Sequence, residues 1–267
     1  MFVPATLDIF NVKLLRLSVT EDQRNKIDWR KESYYRQLLH RVTDKDGVIN
    51  GSELQYNIFP IESGEHFDVF ISYSHNDEDE AYGLYQYLTD RGLHVFLDST
   101  IWYSADKLQY EIDNQYSRLH PYTSLFDYEK TQLSSSHVHA MLSMAILEVI
   151  DRSELCIFLK SGQSLTLKDG IDNLTLSPWI YEELSYFTRV EVTTPPRFKN
   201  YQTKYFSSTD NRLGLIVEQK ELKVQYKVDM KGLTPLDLKD LSYKSKGTAY
   251  LNDIYLSHGI MNYILND

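Results

Sequence analysis

Cysteine, long apolar runs and positive charge are all scarce in this chain. The single cysteine among 267 residues, Cys156, excludes an intramolecular disulfide and any metal site built from several cysteines. The uninterrupted apolar runs are as short as strands, and none reaches the roughly 18–20 residues that a transmembrane helix requires. Residues 1–19 lack the basic start, apolar centre and small-residue cleavage site of a secretory signal. We therefore expect a cytoplasmic protein with no membrane-spanning helix.

The net charge of the chain indicates which classes of binding partner to expect. Acidic residues outnumber basic ones by 38 to 28, which gives a net charge of −10. Affinity for nucleic acid and for anionic membranes depends on clustered lysine and arginine, so neither is an expected partner. A small anionic ligand remains compatible with an acidic chain, because backbone N–H groups can hold one.

The pattern of apolar and polar residues changes near residue 66. Residues 1–66 contain a candidate strand at 7–19, a polar helix through residues 20–39 and a linker-like end. We predict that they form an N-terminal extension that packs on a main domain, residues 67–267.

In the main domain, apolar strands alternate with helices. Residues 99–130 show no sustained period and are predicted to be a long irregular excursion, with an insertion at about 105–130. Strands are predicted at 67–74, 93–99, 154–161 and 221–230. Helices are predicted at 77–91 with Gly92 just past the end, at 137–152 with N-caps offered by the serines at 134–136, at 177–190 and at 248–264. A loop is expected at 162–176, before Ser177 as the N-cap and Pro178 as the first residue of the next helix.

This alternation predicts a doubly wound α/β fold with a parallel sheet. Ligands of such sheets bind outside the carboxyl ends of the strands, where the strand order reverses. The side chains that follow the first three strands of the main domain are therefore the candidate site. They are Ser72, Tyr73, Ser74, His75 and Asp77 after the first, Asp98 and Trp102 after the second, and Ser177, Trp179 and Glu183 after the third.

Four segments resemble a TIR (Toll/interleukin-1 receptor homology) domain. The segment DVFISYSHNDED (68–79) is similar to the first strand and AA loop of that family, and HVFLDS (94–99) to the second strand before the BB loop. SELCIFLKS (153–161) resembles the third strand. The segment from Trp179 to Glu183 fits the W-x-x-x-E pattern of TIR domains that cleave NAD. Together with S-x-H-V-H-x-M-L at 135–142 and I-D-x-x-E at 150–154, these features resemble bacterial stand-alone TIR proteins, which are similar to the TIR subunits of Thoeris-type anti-phage defence.

The resemblance implies a flavodoxin-like, mostly parallel five-stranded sheet, with the insertion before the second helix longer than is usual in the family. It implies that NAD+ is a substrate rather than a cofactor, that Glu183 is the catalytic carboxylate and that no metal takes part. The product would be derived from ADP-ribose, either linear or cyclic, and would activate a separate effector. A homo-oligomer in the active state and a phage-derived trigger are also implied.

Each candidate residue also has a structural interpretation. Trp179 and Glu183 are four positions apart and share a helix face, so they could hold a ribose between them. The structural alternative is that Trp179 packs in the core and Glu183 is a solvated surface residue. Ser72, Ser74 and Asp77 could contact NAD+ or make ordinary turn and cap bonds. Trp102 could stack on adenine or a neighbouring subunit, or anchor its own loop.

His137 and His139 are two positions apart on a predicted helix, about 200° around its axis, so they cannot share a metal. One of them could line the pocket, or both could hold core or cap positions. Two other function classes stay open. One is a non-catalytic TIR module for protein interaction, and the other is a receiver-like protein phosphorylated on Asp98, which lacks the paired acidic residues that would hold magnesium.

Overall fold

The computed structural model describes residues 3–17, 32–58, 65–120, 124–168, 172–190 and 225–260. The strands in these ranges are β1 (Val3–Asp8), β2 (Phe67–Ser72), β3 (Val95–Leu97), β4 (Ser153–Lys160), β5 (Thr166–Lys168), β6 (Asp172–Thr175), β7 (Tyr226–Lys227) and β8 (Thr234–Leu236). The helices are α1 (Ile9–Leu14), α2 (Glu32–Val42), α3 (Gly51–Ile58), α4 (Glu78–Thr89), α5 (Ser99–Ile112), α6 (Tyr128–Asp151), α7 (Pro178–Phe187), α8 (Leu238–Leu241) and α9 (Thr248–Ser257).

Two compact units make up the chain. The sheet unit comprises Met1–Ser18, His66–Phe96 and Ser153–Asp267, and the helical unit comprises Val19–Glu65 and Leu97–Arg152. This division differs from the expected one into 1–66 and 67–267, because the first residues of the chain belong to the sheet.

A five-stranded, all-parallel sheet forms the centre of the sheet unit, in the order β3-β2-β4-β1-β8. The predicted α/β class with a five-stranded parallel sheet is thus confirmed. The middle strands β2 and β4 are buried along most of their length, as expected for strands covered on both faces. The order β3-β2-β4 places the reversal of strand order beside β2, as in flavodoxin-like sheets.

The N-terminal strand occupies an inner position of this sheet. β1 pairs with β4 from Val3↔Leu155 to Asp8↔Lys160 and with β8 on its other side. A strand was predicted at 7–19, but β1 ends at Asp8. The Asp8 side chain accepts a hydrogen bond from the Phe10 backbone N–H and caps the start of α1. The segment is therefore part of the main fold rather than an extension packed on it.

Other predicted elements of the sheet unit are confirmed within a few residues. Helix α4 ends before Gly92, whose φ of 81° is the left-handed conformation predicted for a residue just past a helix. The expected loop at 162–176 instead contains β5 and β6, which form a small antiparallel sheet with β7. β7 covers only two residues of the strand predicted at 221–230, and residues 221–224 lie outside the described ranges.

Helices α2, α3, α5 and α6 form the helical unit. Helix α6 was predicted to begin at Ser134–Ser136, but it begins at Tyr128. The Asp127 side chain caps it there and accepts a hydrogen bond from the Lys130 backbone N–H at 3.0 Å. Ser134 lies inside the helix and donates to the buried Asp113 carboxylate at 2.5 Å. The predicted polar helix through residues 20–39 is described only from residue 32, as α2, which packs on α5.

The predicted BB loop and insertion are largely helical. Residues 99–112 form α5, and residues 113–117 continue it as one π-helical turn. The interpretation of residues 99–130 as an irregular excursion was therefore wrong. An apolar face explains the helix: Ala105, Leu108 and Ile112, spaced by three and four positions, are all buried.

Among the described residues, α6 is the one helix long and apolar enough to cross a membrane by length and composition. A buried helix of a protein core meets the same test, and seven residues of α6, from Ser134 to Ile150, are buried against its neighbours.

Candidate functional site

The site begins with the local signals that fix helix α7. The Ser177 hydroxyl accepts a hydrogen bond from the Ile180 backbone N–H at 3.3 Å, and Pro178 occupies the first turn. These are the N-cap and N1 roles predicted for the two residues. The start of the helix sets its phase, so that Glu183 lies on the buried face together with Ile180 and Leu184.

That phase brings Glu183 to the end of strand β2. The Ser72 hydroxyl donates to Oε2 of Glu183 at 2.5 Å, across 111 positions of sequence. Both side chains are buried, with exposed fractions of 0% for Ser72 and 1% for Glu183. A separation of 2.5–2.7 Å is typical of a hydroxyl bonded to a carboxylate, the stronger class of hydrogen bond. The structure therefore links two of the predicted site residues directly.

Cys156 lies close to this pair. It is fully buried on β4, opposite Phe70 of β2. Burial raises the pKa of its thiol well above the ordinary value, and the negative charge of Glu183 raises it further. Cys156 therefore remains a neutral thiol at physiological pH, which favours a role as a small buried side chain over one as a nucleophile.

A second link joins the ends of β2 and β4. The Ser161 hydroxyl, directly after β4, donates to the carboxylate of Asp77, which is itself buried. The same hydroxyl accepts the backbone N–H groups of Gln163 and Ser164, each at 3.0 Å. Ser161 was not among the predicted site residues, although its place at the carboxyl end of a predicted strand is the signal that could have identified it.

The environment of Asp77 favours its neutral form. Burial is the largest influence and raises the pKa of the Asp77 carboxyl, and the nearby Glu80 carboxylate raises it further. The hydrogen bond from Ser161 and the positive charge of Lys13 act in the opposite direction without cancelling the rise.

Ser72 and Ser161 follow neighbouring parallel strands, so both hydroxyls lie at the same edge of the sheet. This edge is where the strand order reverses between β2 and β4, the usual place for a ligand in an open α/β sheet. Each hydroxyl is bonded to a buried carboxylate, one from α7 and one from the turn after β2. A carboxylate at this edge can accept hydrogen bonds from ligand hydroxyls or stabilise a developing positive charge.

The remaining predicted residues of the sheet unit occupy varied environments. Tyr73 and Ser74 are buried in the turn after β2, while His75 is exposed there. Trp179 is half-buried on α7, one helical turn before Glu183. Glu182, the neighbouring carboxylate, instead accepts a hydrogen bond from the Tyr186 hydroxyl at 2.7 Å.

Four predicted residues belong to the helical unit. Asp98 is buried immediately before α5. Trp102 lies on α5, and its side chain is not among those that the structure describes. His137 and His139 are both exposed on α6, in the helix interior. The suggestion that these histidines hold core or cap positions was therefore wrong, because the early start at Asp127 places the cap ten residues upstream of His137.

Across the part of the chain that the structure describes, no group of three or more histidine, cysteine, aspartate or glutamate side chains could hold a metal ion. No protein-family model matches the chain, and the searches of curated proteins and of solved structures also gave no match.

Proposed function

We propose that the chain is a TIR-type enzyme that cleaves the N-glycosidic bond between nicotinamide and ribose in NAD+. The observation that supports this most is the bond between Ser72 and the buried Glu183 carboxylate, at the edge of the sheet where ligands of such folds bind. The link to NAD+ comes from the resemblance of the W-x-x-x-E segment, in which Glu183 matches the position of the catalytic carboxylate in NAD-cleaving TIR domains.

Cleavage of the nicotinamide–ribose bond is accelerated by a carboxylate that lies beside the ribose. Loss of nicotinamide leaves positive charge on the ribose in an oxocarbenium-like transition state, as in other glycoside cleavage. A carboxylate that accepts hydrogen bonds from the ribose hydroxyls stabilises that charge more in the transition state than in the bound substrate, and so raises the rate. In this proposal Glu183 performs that role, and Ser72 holds its Oε2 atom in position.

Glu183 is buried, so the proposed activity requires a movement that exposes it. With only 1% of Glu183 exposed, the substrate reaches the carboxylate only after neighbouring groups move. We therefore expect the resting chain to turn over NAD+ slowly and an activated or assembled form to turn it over faster.

Downstream of cleavage, the ADP-ribosyl group would react with water or with one of its own atoms, giving linear or cyclic ADP-ribose. By its resemblance to Thoeris-type proteins, the chain would make a messenger that activates a separate effector after phage infection. NAD+ is the substrate here, and the proposal requires no resident cofactor or metal.

Nicotinamide release from NAD+ by the purified chain, measured by chromatography at high protein concentration, tests the proposal. Glu183→Gln keeps the size of the side chain and an acceptor for Ser72, so it should fold but lose at least roughly 100-fold in rate, the usual scale for removing one electrostatic group. Glu182→Gln is the matched control, because it removes the adjacent carboxylate, and it should stay within a few-fold of wild type. Equal rates for wild type and Glu183→Gln would contradict the proposal.

The second candidate is a non-catalytic module for protein interaction. One observation favours it, namely that Glu183 is enclosed and bonded within the fold, as a structural carboxylate would be. In that case Glu183→Gln would change stability alone, and no form of the chain, including one from activated cells, would release nicotinamide.

A further inference from the structure

A second buried carboxylate lies at the same edge of the sheet as Glu183. Asp77, in the turn after β2, is 4% exposed, and its side chain accepts a hydrogen bond from the hydroxyl of Ser161, directly after β4. Ser72, at the end of β2, is paired with Phe158, three positions before Ser161. At about 3.3 Å per residue, the two serines lie on the order of 10 Å apart along the strands. The edge therefore carries two carboxylates, each bonded to its own serine.

Helix capping does not explain the position of Asp77. It is the N-cap residue of α4, where an aspartate side chain ordinarily accepts a backbone N–H of the first turn. The Asp77 side chain makes no such bond and is turned to Ser161 instead. Burial raises the pKa of the Asp77 carboxyl, so its ionised form costs stability at neutral pH. A carboxylate held where it lowers stability is a candidate for a functional role.

We propose, on the basis of the function proposed above, that Asp77 is the general base that activates the acceptor of the ADP-ribosyl group. When the bond between C1′ of the ribose and nicotinamide breaks, its electron pair leaves with nicotinamide, which departs neutral and takes up no proton. The oxygen of the acceptor, which is water or a hydroxyl of the same nucleotide, then forms a bond to C1′ and must lose its proton. The Asp77 carboxylate accepts that proton and later releases it to solvent.

The arrangement of the two carboxylates suits these separate roles. Glycoside-cleaving enzymes that activate a water place their two carboxyl groups roughly 6.5–9.5 Å apart, so that the acceptor fits between them. The spacing of Ser72 and Ser161 is of this order. A general base works best when its pKa is near the working pH, and burial moves the pKa of Asp77 in that direction. Of the charges that act on Asp77, Glu80 of α4 also raises its pKa and Lys13 of α1 lowers it.

Exchange of labelled nicotinamide separates bond cleavage from removal of the acceptor proton. If nicotinamide returns to C1′ after cleavage, deuterated nicotinamide enters NAD+ without any proton transfer. Asp77→Asn should therefore lower net NAD+ consumption by roughly 100-fold or more, the scale of a lost general base, while exchange stays within a few-fold of wild type. Glu183→Gln should lose both consumption and exchange. Asp79→Asn, which removes an exposed carboxylate in the first turn of α4, is the matched control and should change neither.

Both rates are measured by mass spectrometry on the purified full chain at high protein concentration, and a urea titration shows that Asp77→Asn is folded. A smaller fall in its NAD+ consumption, an equal loss of consumption and exchange, or the same loss in Asp79→Asn would each overturn the assignment of Asp77 and leave the role of Glu183 standing. A wild type that neither consumes NAD+ nor exchanges nicotinamide would instead contradict the proposed function, and this assignment with it.

Discussion

Replacing Ser72 by alanine probes the bond on which the candidate site depends. The variant removes the hydroxyl that donates to Glu183 at 2.5 Å and leaves the carboxylate buried with one donor fewer. A hydrogen bond to a charged group contributes about 1.5–3 kcal/mol, and loss of one partner exposes the desolvation cost of the other. We therefore expect Ser72→Ala to lower the free energy of unfolding by about 2–3 kcal/mol in a urea titration at pH 7.

Thr6→Val is the control for removing a buried hydroxyl from the same sheet. Thr6 is on β1, and its Oγ1 atom is buried with no hydrogen-bond partner in the described ranges of the chain. Deleting an unbonded buried hydroxyl should leave stability unchanged or raise it by up to about 1 kcal/mol. The reasoning is refuted if Ser72→Ala stays within about 0.5 kcal/mol of wild type, or if the two substitutions have the same effect.

Three further predictions concern single side chains. Because burial raises the pKa of Asp77, its carboxyl group keeps its proton to a higher pH in the folded state than in the unfolded chain. Ionisation of Asp77 therefore lowers the free energy of unfolding as the pH rises above about 4. Asp77→Asn, which retains an acceptor for Ser161, should therefore be more stable than wild type at pH 7 but not at pH 3, as urea titrations at both values will show. Asp127→Ala should lower the stability of the helical unit by about 1 kcal/mol, measured by circular dichroism, whereas Ser136→Ala in the exposed helix interior should change it by less than about 0.5 kcal/mol. Gly92→Ala should cost about 1–2 kcal/mol and lower the thermal midpoint, since φ is 81° there and an added Cβ meets no atom within 4 Å, so that backbone strain is the whole cost.

Local chemistry explains which parts of the fold the sequence predicted. β2 and β4 are continuous apolar runs because both faces of these strands are covered, and α7 begins at a serine–proline pair that carries its own cap. Ser72 and Glu183 were both predicted as site residues, because one ends a buried strand and the other falls in a recognisable motif. Their direct bond adds geometry that the sequence does not contain.

The parts that were missed depend on long-range pairing. Nothing in residues 3–8 shows that this strand lies between β4 and β8, because the residues it pairs with are 155–160 and 234–236 of the chain. The three serines at 134–136 are residues that commonly cap a helix, but α6 is capped at Asp127 and they lie inside the helix. The Ser134 hydroxyl donates to the Asp113 carboxylate instead. The bond between Ser161 and Asp77 likewise joins two turns that are 84 positions apart.

The central claim is that Glu183 makes this chain an enzyme that consumes NAD+. Its most direct test is mass spectrometry of the nucleotides in phage-infected cells that carry either wild type or Glu183→Gln. We predict that wild-type cells accumulate nicotinamide and an ADP-ribose-derived nucleotide after infection, and that Glu183→Gln cells accumulate neither and lose protection. NAD+ levels and nucleotide profiles that are the same in both, with protection unchanged, would contradict the claim.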